Sequence, residues 1–228
     1  MCARFTLRTQ PQAMIEAAFG SIDIASWGSL EPRVNIAPTH WIPAIVALDG
    51  ECWAENLHWG FVPSWATSPA KATSMINARS ETAATTPAFR SAYARRRCVI
   101  PADGYLEWVR QSDGKQPYWM HRPDHTVFFF AGVWESHPTL NDGRPLKSTA
   151  ILTRAATESL SAIHDRMPVV LTADTAMSWL TDTVNLDRMA ETDSSFFCVT
   201  PVSRRINSVR HQAPETLQPI DPQPRLFD

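Results

Sequence analysis

The second residue of the chain is a cysteine, directly after Met1. A small residue at position 2 normally permits removal of the initiator methionine, and that would leave Cys2 with a free α-amine beside its thiol. The amine titrates near ~7.7–8.0 and the thiol near ~8.5, so each has a reactive fraction at neutral pH. Such a 1,2-aminothiol condenses with an aldehyde to an imine, after which the thiol closes a five-membered thiazolidine. The same thiol could instead attack a carbonyl with the amine as base, as in N-terminal-nucleophile hydrolases. The plain alternative is an ordinary buried or frayed cysteine.

A few polar residues lie in apolar or turn contexts. Asn77 and Arg79 fall within Ile76-Asn77-Ala78-Arg79-Ser80-Glu81-Thr82, just before an expected helix. Glu107 sits inside Tyr105-Leu106-Glu107-Trp108-Val109, where aromatic neighbours would desolvate a carboxylate and favour its protonated form. Strand alternation gives the opposite reading, an outward Glu107 opposed to Leu106 and Trp108. His164, in Ala162-Ile163-His164-Asp165-Arg166-Met167-Pro168, has charged neighbours able to tune it, or serves as a helix-terminal histidine. In His58-Trp59-Gly60-Phe61-Val62-Pro63-Ser64-Trp65, Trp59 suits a core and Trp65, beyond the Pro63 turn, suits an exposed stacking position. Asn35-Ile36-Ala37-Pro38 reads as a turn or extended connector.

The elements that must position these residues are short, because 18 prolines punctuate the chain. Apolar runs predict strands at Arg4–Leu7, Ile42–Leu48, Cys52–Trp59, Cys98–Ile100, Tyr105–Val109, Tyr118–His121, Val127–Trp134, Thr149–Thr153 and Ser195–Thr200. Ser112-Asp113-Gly114-Lys115 predicts a hairpin turn. Helices are expected at Pro11–Phe19 with Gly20 as the stop, at Pro87–Arg95, at Thr157–Ile163, and at Ala173–Leu180 after a Thr172 cap. This pattern predicts a strand-rich α+β single domain with a curved or barrel-like, mainly antiparallel sheet surrounded by short helices. The domain is expected over residues 1–212, followed by a Pro-rich irregular tail at 213–228.

With 228 residues, 44% of them hydrophobic, and nine tryptophans, the chain is able to bury a substantial core and does not have the composition of a disordered protein. The formal charge of −2 argues superficially against a nucleic-acid partner. The cations are skewed, though: 18 Arg against 3 Lys, and Arg is the residue of planar bidentate contacts. Residues Glu158–Asp193 carry seven acids and two Arg, so the remaining chain sums to about +3. Ile76–Arg110 has six Arg against three acids, and Arg204–His211 has three Arg and no acid. A basic face is therefore available, although Arg95-Arg96-Arg97 also fits a solvated helix end. No apolar run reaches the ~20 residues of a membrane helix, and the start lacks the order of a secretory signal. A cytoplasmic protein without a membrane partner is expected. Four scattered cysteines make no CxxC pair, and Pro123 interrupts His121 and His125, so neither a disulfide framework nor a metal site is expected.

Taken together, these segments resemble the family named for SOS-response-associated peptidases, whose vertebrate relatives recognise abasic sites in embryonic stem cell chromatin. The matching order is Met1-Cys2-x-Arg4-Phe5, Asn35-x-Ala37-Pro38, Trp59-Gly60-x-x-Pro63-x-Trp65, Asn77-Ala78-Arg79-x-Glu81-Thr82, Gly104-Tyr105-x-Glu107-Trp108 and Ile163-His164-Asp165-Arg166-Met167-Pro168. Pro201-Val202-Ser203 with Asn207 completes it, and the correspondence is collinear to about residue 212. Two departures stand out. Ala3 replaces the family's usual Gly, and the usual paired aromatics are reduced to Trp65 followed by Ala66.

The resemblance implies a protein that binds single-stranded DNA and crosslinks covalently to an abasic site, without a cofactor. It implies Cys2, Asn77, Glu107 and His164 as catalytic residues, and Arg4, Asn35, Pro38, Trp65 and Arg79 as DNA-binding residues. Arg4 and Arg79 would clamp phosphates. A monomer, associated with the nucleoid when bound to DNA, is expected. The family name also implies a thiol peptidase, plausibly one that removes its own Met1, with lyase-type reversal of the crosslink as a further activity. A noncovalent single-strand binder, in which Cys2 is incidental, is the third reading.

Overall fold

The computed structural model of the chain describes residues 2–20, 22–28, 31–67, 75–138, 145–181, 186, 190 and 195–220. Strands β1 (Phe5–Leu7), β2 (Arg33–Ile36), β3 (Trp41–Leu48), β4 (Glu51–Trp59) and β5 (Asn77–Arg79) come first. Next are β6 (Arg97–Ala102), β7 (Gly104–Gln111), β8 (Gly114–His121), β9 (Phe128–His137) and β10 (Leu146–Ala155). The last are β11 (Arg166–Pro168), β12 (Val170–Leu171) and β13 (Cys198–Pro201). The helices are α1 (Gln12–Phe19), α2 (Ser80–Ala83), α3 (Arg90–Arg95), α4 (Glu158–Ser161) and α5 (Ala173–Thr181).

Two sheets carry the architecture. One is five-stranded, in the order β13-β8-β7-β1-β2. In the larger sheet β10 pairs with both β4 and β9, β4 with β3, β3 with β6, and β6 with β9. Those pairings close a ring, so the expected barrel-like sheet is present. It is antiparallel except where β10 runs parallel to β4 and β5. Gly132 marks the tightest crossing, since it lies opposite both Cys98 and Ile151. A Cβ there would stand 2.8 Å from the Cys98 sulfur and 3.1 Å from the Ala150 carbonyl, too close to fit without a shift.

Strand alternation divides the apolar residues into two cores. Ile45, Val99, Phe129, Ala131 and Val133 face Ile15 and Phe19 of α1 and Trp179 of α5. Their neighbours Val46, Cys98, Ile100, Phe128 and Phe130 face Cys2, Phe5, Leu7, Tyr105 and Met120 of the five-stranded sheet. Cys2 is thus built into a core. Pro11 stands at the start of α1, and Gly20, at φ 66°, ends it as its composition predicts. At α5 the Thr175 hydroxyl accepts from the Thr172 amide at 3.0 Å, one half of a capping arrangement centred on Thr172. The β7–β8 hairpin turns on Ser112-Asp113, with Gln111 opposite Gly114 at φ 135°. No helix among the described residues is long and apolar enough to cross a membrane.

Three of the departures from the sequence expectations bear on the site and its surroundings. Asn35-Ile36-Ala37-Pro38 is not a connector throughout: Asn35 and Ile36 belong to β2, and only Ala37 and Pro38 lead into the turn. Asn35 is fully buried, and its amide donates to the carbonyls of Ile206, Ser208 and His211 at 2.9–3.3 Å. Gln212 adds a reciprocal pair, accepting from the Asn35 amide and donating to its carbonyl. Within the Arg95-Arg96-Arg97 run, Arg96 bonds Glu135 at 2.7 Å, and Arg97 reaches the carbonyls of Tyr93 and Trp179. Those two are internal ties rather than a basic surface. The expected tail begins as packed chain, because a short 3-10 turn at Pro214–Leu217 buries Thr216 and Leu217. Residues 221–228 of that tail, like Met1, lie outside the described residues.

The Asn35 clamp has a measurable consequence. Asn35→Ala removes the side-chain donor shared by three carbonyls, of which only that of Ser208 keeps another partner among the described residues, the His211 amide. The change should cost about 2 kcal/mol, a fall of ~4–8 °C in Tm for a chain of this size. Amide exchange should accelerate selectively over residues 206–212. An unchanged melting point would contradict the clamp.

Candidate active site

The central strand of the five-stranded sheet explains the conflict over Glu107. β7 lies between β8 and β1, and both of its faces are covered. Leu106 packs with Val34, Trp119, Val202 and Ile206, while Tyr105 packs with Phe5 and Phe130 on the other side. Alternation therefore selects between two buried environments, and Glu107 is 5% exposed on the Tyr105 side. Gly104 opens the strand because a Cβ there would overlap the Trp119 indole.

Cys2 leads into β1 and is completely buried. Its thiol points to the Arg4 carbonyl at 3.7 Å, and its own carbonyl accepts from Asn77 Nδ2 at 2.8 Å. Asn77 opens β5, which is held parallel on β10 with Asn77 opposite Ile151. The Trp59 indole fixes the preceding residue by donating to the Ile76 carbonyl at 2.9 Å. An amide on a strand thus holds the Cys2 backbone.

Burial governs the protonation of this cluster. It pushes the Cys2 thiol far above its ordinary range, and the nearby Glu107 carboxylate pushes in the same direction. It also raises the Glu107 carboxyl above the usual carboxylate range, opposed by the chain's terminal ammonium and by His164. Burial raises the Tyr105 phenol too, reinforced by Cys2 and Glu107. Cys2, Tyr105 and Glu107 are thus electrostatically linked, and burial keeps the Cys2 thiol protonated.

His164 follows α4, its amide bonded to the Leu160 carbonyl. Its Nδ1 accepts from the Arg166 amide at 2.9 Å, which selects the tautomer with hydrogen on Nε2 in the neutral ring. The Asp165 carboxylate, 2.8 Å from the same Nδ1, is placed to accept when the ring is protonated. Tyr105, Glu107, Leu160, Ile163, His164 and Arg166 line one narrow gap, too small for a water, between this histidine and Glu107. Arg166 is fixed at its edge by a bidentate pair with Glu81 at 2.6 and 2.9 Å, and by the Thr153 carbonyl. That pair holds the Glu81 carboxyl below its usual range.

The sequence model of the SOS response associated peptidases (SRAP) matches residues 1–209. The chain belongs to the SRAP family. It is 34% identical over 224 residues to the abasic site processing protein YoqW of Bacillus subtilis, covering 96% of this chain and 99% of that one. It is 31% identical over 194 residues to the abasic site processing protein YedK of Escherichia coli, covering 82% and 85%. A solved structure of a protein from Bacteroides thetaiotaomicron shares the fold, with a TM-score of 0.80 at 20% identity over 96% of this chain and all of that one.

In this SRAP chain the structure brings Cys2, Asn77, Glu107 and His164 together. Arg4 is adjacent and half-buried, its guanidinium 5.8 Å from the Trp108 ring and with no carboxylate partner among the described residues. Arg79 is exposed at the end of β5, opposite Thr153. Trp65 is 66% exposed on a turn closed by the Ala66 amide and the Pro63 carbonyl. Pro38 lies half-buried in the turn after β2, beside Thr39 at φ 74°. Asn35 stands apart, buried against residues 206–212. Among the described residues no three His, Cys, Asp or Glu side chains group as a metal site.

Sequence reasoning passed over Tyr105 and Arg166 as site members. The signal for Tyr105 was its position two residues before Glu107 on one strand face. Arg166 gave no local signal, because its partner Glu81 lies 85 residues earlier.

Proposed function

We propose that this protein processes abasic sites in single-stranded DNA by forming a covalent link through Cys2. The observation that carries this reading is the buried Cys2, its carbonyl tied to Asn77, in electrostatic contact with Glu107. The names of the relatives in B. subtilis and E. coli support the substrate class.

An abasic deoxyribose is mostly a closed hemiacetal in equilibrium with a little open aldehyde. Glu107 and His164, which sit close enough to interact electrostatically, assist ring opening by proton transfer. Once Met1 is removed, the Cys2 amine attacks the aldehyde carbon, and loss of one water gives an imine. The Cys2 S–H then adds across the C=N bond, sulfur to carbon and the proton to nitrogen, closing a thiazolidine. The raised thiol pKa fits this order, because a protonated thiol leaves the first attack to the amine. It also disfavours a thiol peptidase acting on other proteins, whose cysteine needs a depressed pKa. Arg4 and Arg79 bind flanking phosphates, and Pro38 and Trp65 lie against bases.

The test is a denaturing gel of protein mixed with single-stranded DNA bearing one abasic site. A shifted band supports the reading, and its absence contradicts it. Asn77→Ala should slow band formation by about 100-fold, since loss of the carbonyl anchor lets the nucleophile drift from its reactive position. Binding should also weaken with salt. Arg79→Gln should flatten the plot of log affinity against log salt by about 0.7, the share of one single-strand phosphate. An unchanged slope would remove Arg79 from the phosphate contacts.

A further inference from the structure

We infer a second subsite, for a base flanking the lesion, on the face formed by Arg33 and Trp41. It rests on the single-strand reading above and adds to it a place on the protein where the strand is held away from Cys2.

Trp41 begins β3 and is 52% exposed, an unusual exposure for so large a ring. It is not loose, since its ring meets the His58 ring edge-on at 5.8 Å. Arg33 lies behind it. One guanidinium nitrogen donates to the Trp41 carbonyl at 2.9 Å, and the other to His40 Nδ1 at 2.8 Å. The Ala37 amide also donates to that Nδ1, so the neutral His40 ring presents Nε2 as a donor. Burial and the charges of Arg33 and Arg4 all lower the His40 pKa, which keeps the ring neutral. Neither Arg33 nor Arg4 has a carboxylate partner among the described residues. Two cations, Arg4 (beside Cys2) and Arg33, therefore flank the neutral His40 ring.

Next to them is a cleft of about 390 Å³ lined by Trp27, Ile36, Trp41, Pro43 and Asn56, with Arg33 at its edge and Glu31 also on its wall. Apolar walls, one exposed indole and polar groups able to meet a base edge suit a nucleobase. Arg33 suits the phosphate attached to it. A carboxylate on the wall argues against a phosphate inside the cleft itself. Arg33 pairs with Leu7, five residues along from Cys2, which places it up to ~16 Å from the nucleophile along an extended strand. That lies beyond the linked nucleotide and within the few nucleotides that a single-strand binding fold covers. The base must be unpaired to enter, so the occupant is single-stranded DNA.

The experiment compares the affinity of wild type and Trp41→Ala for a short abasic oligonucleotide and for versions lengthened on the 5′ or the 3′ side. Lengthening one side should tighten wild-type binding about tenfold, the equivalent of one stacked base. Trp41→Ala and Arg33→Gln should each lose most of that gain. Pairing the extension with a complementary strand should abolish it. If both variants keep the full gain, or if the duplex extension gives it equally, the subsite is wrong. The covalent band of the wild type, read in the same tubes, separates this outcome from failure of the abasic-site reading. A band without a length effect removes the subsite alone, and no band removes both.

Discussion

Cys2→Ala protein, mixed with single-stranded DNA carrying one abasic site and then denatured, should give no shifted band. The residue is buried among Phe5, Trp59 and Tyr105, so alanine leaves only a small cavity and the fold should survive. Noncovalent affinity should stay close to wild type, because Arg4 and Arg79 are untouched. Cys2→Ser is the sharper companion. It keeps the α-amine and nearly the same volume but replaces the thiol by a poorer ring-closing group. Its adduct should therefore appear only when borohydride is present to reduce an imine. A strong, reductant-independent band from either variant would mean that another residue makes the link. The comparison also separates the covalent reading from a binder in which Cys2 is incidental.

Glu107→Gln should move activity and stability in opposite directions. Loss of a proton-transfer group should slow band formation by about 10²–10⁴-fold. The carboxyl pKa of Glu107 is raised in the fold, chiefly by burial, against the terminal ammonium and His164. For an acid shifted upward, the folded state favours the proton. Stability is thus fully present below the unfolded pKa, near ~4.3, and declines as pH rises toward the folded value. Glutamine has no charge to desolvate. The melting difference between variant and wild type should be near zero in acid, grow as pH rises, and then level off. Each kcal/mol relieved appears as about 2–4 °C in a chain of this length. A variant less stable than wild type at neutral pH would show that the Glu107 charge is better compensated in the fold than its burial indicates.

These two results depend on residues that were readable in the sequence for different reasons. Cys2 announces itself by position and chemistry. Glu107 was ambiguous because alternation normally separates core from solvent. In β7 both faces are covered, so the rule that assigns an outward side chain has no outside to point to. Most barrel strands were legible from continuous apolar runs, yet closure was not, since the β10–β9 and β10–β4 pairings join distant segments. β2 was missed because Asn35-Ile36-Ala37-Pro38 looks like a turn, and its strand character comes from pairing with β1 and from Asn35 tying down residues 206–211. Arg96 and Arg97 show the limit of charge counting. A basic run in sequence became an ion pair with Glu135 and bonds to the carbonyls of Tyr93 and Trp179 once the chain folded. Arg4, isolated in sequence, is instead a cation beside Cys2 without a carboxylate partner among the described residues.

The most direct test of the central claim is the intact mass of the adduct formed without reductant. The expected mass is that of the chain lacking Met1 plus the abasic oligonucleotide minus one water, with the link mapping to Cys2. A stable adduct that retains Met1, or one that forms only when borohydride is added, would contradict the thiazolidine account.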